Sequence, residues 1–132
     1  MTALSRVIEL RLVVTAEDHD VAVAFYRDAL GLTELESYTE RGGHVTILEA
    51  ERATLEINDP TYAAYIDEVE VGKRVAGHIR VAFGVEDCTV ATDRLVEHGA
   101  QLIAAPTRTP WDSLNSRLKA PGDLQLTLFT DL

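Results

Sequence analysis

Two stretches of this chain carry the same phrase without a gap. Arg11-Leu-Val-Val-Thr-Ala-Glu-Asp18 lies over Arg80-Val-Ala-Phe-Gly-Val-Glu-Asp87, at a constant offset of 69 residues. Each phrase is an apolar segment running into an acidic pair, the pattern of a strand that leads into a capped helix. A duplication of this kind restricts the fold to two similar modules packed together. The chain has 132 residues, which fits both modules in a single domain, 1–132. Module one reads as 6–58, a connector as 59–76 and module two as 77–130.

The order of elements repeats as well. Ile8–Ala16 reads as a strand, with Leu10, Leu12 and Val14 on one face and Glu9, Arg11 and Val13 on the other. His19–Leu30 has helical spacing at Val21, Ala22, Phe25, Tyr26 and Ala29, and Gly31 ends it. Strands follow at Thr33–Thr39, Val45–Ala50 and Ala53–Ile57, the first two joined through Arg41-Gly42-Gly43. The second half gives a strand at His78–Val85 and a helix at Cys88–His98, ended by Gly99. Three more strands follow, at Gln101–Ala105, Leu114–Lys119 and Leu124–Phe129. Pro106 to Asp112 reads as a loop and Pro121-Gly122-Asp123 as a tight turn. Between the modules, Tyr62, Tyr65, Ile66 and Val69 share one side of a short connecting helix.

Composition removes several functions. A formal net charge of −10 opposes binding to nucleic acid, which needs a basic face, and to anionic membranes. It suits a cationic or neutral small molecule. The longest apolar runs, such as Leu12-Val13-Val14, are too short to span a bilayer. There is one cysteine, Cys88, so no internal disulfide forms. With no basic and apolar leader in view, the expectation is a cytoplasmic protein.

The run Ala24-Phe25-Tyr26-Arg27-Asp28-Ala29-Leu30-Gly31-Leu32, following a strand and an acidic cap, resembles the vicinal-oxygen-chelate superfamily. That superfamily includes glyoxalase I, extradiol dioxygenases, fosfomycin-resistance enzymes and bleomycin-resistance proteins. Thr54-Leu55-Glu56-Ile57 resembles the last strand of its first module, and Ala120-Pro121-Gly122-Asp123-Leu124 its usual final turn. The resemblance implies an α+β fold of two paired βαβββ modules, each curled four-stranded sheet lining a shared cavity. It also implies a homodimer. Enzymes of the superfamily hold a divalent metal on the first and last strands of each module, positions that correspond to Arg11, Glu56, Arg80 and Thr127. Of these only Glu56 is a credible ligand, because a guanidinium has no lone pair to offer. A displaced set, Glu9, Glu56, His78 and Gln125, shares the cavity face and supplies oxygen and imidazole donors. It requires three groups to move roughly 6.6 Å along their strands while Glu56 stays.

Strand alternation and loop position put Glu9, Arg11, Glu56, His78, Arg80, Asn115, Arg117, Gln125 and Thr127 in the cavity, with Tyr38, Tyr65 and Trp111 around it. Arg11 and Arg80 are expected to pair with Glu9 and Glu56, replacing a metal as the polar centre. Trp111, the only tryptophan, either stacks on a flat ligand at the mouth, packs against a partner subunit or covers the core. The leading expectation is a metal-free, cofactor-free protein of bleomycin-resistance type, sequestering an aromatic or cationic antibiotic. The alternative is a lyase, isomerase or dioxygenase using a metal at the displaced site. A metal-free acid/base enzyme using Glu56 or Glu9 is the third; it needs a raised carboxylate pKa, against which the arginines act.

Overall fold

A computed structural model describes residues 3–29, 31–120 and 123–132. Leu30 at the end of the first expected helix, and Pro121-Gly122 of the last expected turn, lie outside the described residues. Module one contains β1 (Val7–Thr15), α1 (His19–Val23) continued by a π-helical segment (Ala24–Ala29), β2 (Thr33–Glu40), β3 (Gly43–Glu49) and β4 (Thr54–Asn58). The helix α2 (Pro60–Glu70) follows. Module two contains β5 (Ile79–Val85), α3 (Cys88–Glu97), β6 (Gln101–Arg108), β7 (Ser113–Lys119) and β8 (Gln125–Asp131).

The two modules share one mixed sheet of order β2-β3-β4-β1-β5-β8-β7-β6. β1 and β5, the repeated strands, meet antiparallel at its centre. Each also pairs in parallel with the last strand of its own module, β4 or β8. The repeat extends to the helix caps. Asp18 accepts a hydrogen bond from the Val21 amide at 3.1 Å, and Asp87 from the Val90 amide at 3.0 Å. The expectation of two separately curled sheets is corrected here. The sheet is single and open, with β2 and β6 at its edges, and it is neither closed nor strongly curled.

Helix α3 buries Cys88 and Ala91 against Val85, Leu118 and Leu128, while Val23 packs on Leu48 and Ile57 in module one. Full burial of each such aliphatic side chain contributes about 2 kcal/mol. Cys88 is a packing residue, 1% exposed in this cluster, and burial holds its thiol above its ordinary pKa. The apolar face expected on β1 is covered less well: Leu10, Leu12 and Ile79 stay exposed on the back of the sheet. β6 continues through Pro106 where a loop was expected. It can do so because β6 is an edge strand, where a missing N–H is tolerated, and its pairing with β7 slips between Ala104 and Thr107.

The connector is the element that shapes the site. Asp59 caps α2 through the Tyr62 amide at 2.8 Å, and its other oxygen accepts from the His44 amide at 2.9 Å. Gly43 lets the helix settle on β3, since a Cβ there would lie 2.3 Å from the Tyr62 nitrogen. The helix then runs to module two, where its last residue meets β7 and β8. Among the described residues no helix is long and apolar enough to cross a membrane.

Candidate functional site

Strand register brings the charged positions together. One row across the sheet reads Glu36, Ile47, Glu56, Val13, Arg80. Another reads Thr54, Arg11, Ala82, Thr127, Arg117. Apart from Thr54 and Arg117, these positions line a cavity of about 440 Å³ between the sheet, one side of α2 and the β6–β7 turn. Sequence separations of up to 116 residues, as between Arg11 and Thr127, thus collapse onto two adjacent rows.

Glu56 occupies the floor with a side chain only 13% exposed. Its nearest cation is Arg11, with Nη1 at 4.0 Å, and its carboxylate has no hydrogen-bond partner among the described residues. Burial holds its pKa above the ordinary glutamate value. The opposing pull of Arg80 and Arg11 does not outweigh the lost hydration. Beside it, Tyr62 keeps its proton well above the usual range, through burial and the nearby Glu56 charge. Arg80 is buried and donates one hydrogen bond, from Nη1 to Thr127 Oγ1 at 2.8 Å. Burial also pulls its pKa down, although the carboxylates of Glu70 and Glu56 favour its charge.

The expected pairing of both arginines with carboxylates is therefore half correct. Arg11 pairs with Glu9 and approaches Glu56. Among the described residues Arg80 makes no salt bridge and is bonded to a threonine instead.

Behind this floor lies a buried network. Arg117, fully buried, donates from Nη1 to Asp67 Oδ1 at 2.8 Å and from Nη2 to Glu70 Oε1 at 2.9 Å. The same Nη1 reaches Gln125 Oε1 at 2.8 Å. Thr127 gives its hydroxyl hydrogen to Glu70 Oε1 at 3.1 Å, and Asn115 Nδ2 reaches Glu70 Oε2 at 2.9 Å. Burial alone would raise the Asp67 pKa. The amides of Ala76 and Val75, with the guanidiniums of Arg117 and Arg74, more than offset it and leave Asp67 below its ordinary value.

Aromatic side chains stand at the mouth. Trp111 is 42% exposed, and its ring lies 6.2 Å from that of Tyr65, which Arg41 covers on another side at 5.1 Å. Tyr38 is also exposed, and its hydroxyl bonds to Glu36, which raises its pKa.

Of the residues named from sequence, Arg11, Tyr38, Glu56, Tyr65, Arg80, Trp111, Asn115 and Thr127 line the cavity. Four do not. Arg117 and Gln125 lie behind it: α2 binds Arg117 through Asp67 and Glu70, and Gln125 bonds Arg117 and the Val75 carbonyl beyond the helix. Glu9 turns to Arg11. His78 precedes β5 in an exposed bend, where its carbonyl accepts from the Thr15 amide. Sequence reading missed Asp67, Glu70, Glu36, Glu40 and Asp131, the last three at the rim. Charge complementarity was the available signal for the first two. A buried Arg117 requires acids, and Asp67 and Glu70 sit three apart on the connector helix.

These placements decide whether a divalent metal fits. At the four positions where the superfamily's enzymes carry ligands, two are guanidiniums, and Thr127 Oγ1 is engaged by Arg80, Arg117 and Glu70. Only Glu56 is available, so the donor set does not fit a metal. The displaced set does not assemble either. Glu9 is paired, His78 is outside the cavity and Gln125 bonds Arg117 and the Val75 carbonyl. Among the described residues no group of three or more His, Cys, Asp or Glu is placed to hold one.

Known structures share this architecture. Methylmalonyl-CoA epimerase from Mycobacterium tuberculosis is 21% identical with a TM-score of 0.71, over 100% of this chain and 93% of that one. Methylmalonyl-CoA epimerase from Streptomyces coelicolor, bound to 2-nitronate-propionyl-CoA, is 21% identical with a TM-score of 0.62, over 98% and 99%. A mutant 4-hydroxymandelate synthase from Streptomyces coelicolor is 25% identical with a TM-score of 0.65, over 100% of this chain and 40% of that one. No curated protein matches the sequence. Residues 10–131 match the family described as Glyoxalase/Bleomycin resistance protein/Dioxygenase superfamily. The repeat, the paired modules and this match agree, and the chain belongs to that superfamily.

Proposed function

We propose that the protein is a metal-independent enzyme of isomerase type that moves a proton on a small anionic substrate. The observation that carries this reading is Glu56, a largely buried carboxylate without a hydrogen bond among the described residues, facing the cavity beside Arg11 and Arg80. A carboxylate with a raised pKa is suited to take a proton from carbon next to a carbonyl. The C–H electron pair becomes the carbon–carbon double bond of an enolate, the carbonyl π pair moves onto oxygen, and Arg80 and Arg11 stabilise that oxygen. Delivery of the proton from Glu56 to a different atom of the enolate, its oxygen or a conjugated carbon, gives the isomer, and return to the same carbon gives exchange with solvent. The arginines act where a superfamily enzyme places its metal. The epimerase likeness supports an isomerase over the other chemistries of the fold. The sequence-based objection, that arginines hold Glu56 acidic, is met by the dominance of burial.

Phenylpyruvate, a carboxylate with acidic protons beside a carbonyl, is a test substrate. The expected result is C–H exchange in D2O above the buffer rate, unchanged by EDTA and abolished in Glu56→Gln. Exchange that EDTA abolishes would overturn the reading.

A second reading is passive sequestration of an aromatic or cationic antibiotic, favoured by the Trp111–Tyr65 wall. Saturable binding of phenylpyruvate without exchange, equal in Glu56→Gln, would support it over catalysis. A homodimer and a cytoplasmic location belong to either proposal. Sedimentation velocity at micromolar concentration tests the first.

A further inference from the structure

The cations of the cavity lie deep, beside the largely buried carboxylate of Glu56 and the buried one of Glu70. These cations, Arg11 and Arg80, are half-buried and buried, on the floor. The exposed charged side chains of the cavity lining are all acidic: Glu36, Glu40 and Asp131. Asp131 lies four residues beyond Thr127 on β8, on the order of 13 Å from the floor along the strand. The exposed rings of Tyr38 and Trp111 stand among these acids, and the Tyr65 ring already carries the chain's own Arg41 guanidinium as a cation–π contact. Arg80 supplies a second, independent pointer to a ligand. It is 6% exposed, lines the cavity, and among the described residues has Thr127 as its one hydrogen-bond partner. A guanidinium carries five N–H donors, so most of Arg80's remain for a guest.

We infer that the cavity takes a small zwitterion with a flat middle. Its anionic oxygen meets Arg80 and Arg11 on the floor, and its ammonium end sits among Glu36, Glu40, Asp131 and the aromatic rings. This rests on the anion-binding floor proposed above and adds the substrate class. A simple anion of the same shape would meet the acidic rim unfavourably, so the rim selects against it. A simple cation would gain the rim and meet the arginines below. The amphoteric molecule alone satisfies both.

Calorimetric titration with three probes tests the inference: cinnamate, 4-(trimethylammonio)cinnamate and phenyltrimethylammonium. The first two differ only in the cation. The zwitterion is expected to bind at least about tenfold tighter than cinnamate, with the ratio falling as salt is added. In the double variant Glu36→Gln/Glu40→Gln, on the exposed edge strand β2, that ratio is expected to drop severalfold while cinnamate binds at least as well. Cinnamate binding with a zwitterion ratio near one, or a ratio indifferent to the double variant, would overturn the inference and leave the floor reading standing. Absence of binding by both carboxylates would overturn both. Binding of phenyltrimethylammonium as tight as the zwitterion would show that the floor contributes nothing, which also overturns both.

Discussion

The two modules descend from one pattern, yet they treat their equivalent positions in opposite ways. In module one, Arg11 and Glu56 face an open cavity, and the Glu56 carboxylate has no hydrogen bond among the described residues. In module two, Thr127 lines the same cavity but is tied to Arg80, Arg117 and Glu70, and α2 covers the network behind it. Both settings are buried, but the pKa directions diverge. Glu56 is desolvated and only partly offset by Arg80 and Arg11, so its pKa rises. Asp67 is desolvated and bonded by two amides and two guanidiniums, so its pKa falls. The difference teaches that burial decides little until hydrogen bonds are counted. One half of the duplication is held ready for proton chemistry, and the other anchors the helix that walls the cavity.

The largest expected effect comes from breaking the anchored half. Arg117→Met leaves Asp67 and Glu70 buried without their guanidinium and should cost about 3–5 kcal/mol in urea unfolding. A loss below about 1 kcal/mol would mean that the network is solvated in solution. Asp67→Asn comes next. The Asp67 pKa is depressed in the folded state, so its stabilisation is present above the unfolded value near ~3.9 and is lost as pH falls through the folded value. The variant should lose roughly 2 kcal/mol at pH 7 and show a flatter decline of stability toward low pH.

Glu56→Gln should act with the opposite sign. The raised pKa means that the folded state holds this proton more tightly, so charged Glu56 lowers stability once pH rises through its folded value. Removing the charge should stabilise the fold by about 1 kcal/mol at neutral pH, while activity disappears. The gain should vanish below the unfolded pKa of about 4.3, where the wild-type group is protonated in both states. Thermal melts at neutral and acid pH measure it. The smallest effect is assigned to Glu9→Gln. Its pair with Arg11 is about one-third exposed, and the loss should stay within about 0.5 kcal/mol.

The sequence made the fold legible wherever periodicity and punctuation coincide. The 11–18/80–87 repeat located the central strands, and the acidic caps located both module helices. Alternation also put Arg11, Glu56, Arg80 and Thr127 in one cavity, because side chains two apart share a face whatever the exact register. What stayed hidden depended on α2. Its apolar spacing announced a helix, but nothing in the connector says which face of the sheet it crosses. That crossing removes Arg117 from the cavity and brings in Asp67 and Glu70 as its partners, while Gln125 is held by Arg117 and the Val75 carbonyl. His78 was misplaced for a simpler reason. It lies one residue before the ladder begins, where alternation no longer governs direction.

The contrast between the halves is most directly tested by following side-chain carboxyl 13C shifts against pH, with Glu56→Gln and Asp67→Asn used for assignment. The account predicts that Glu56 titrates above the ordinary glutamate value of about 4.3 and Asp67 below the ordinary aspartate value of about 3.9, in the same sample. Glu56 titrating at or below its ordinary value would contradict the account, since the floor would then be an ordinary ion pair with no carboxylate poised to take a proton.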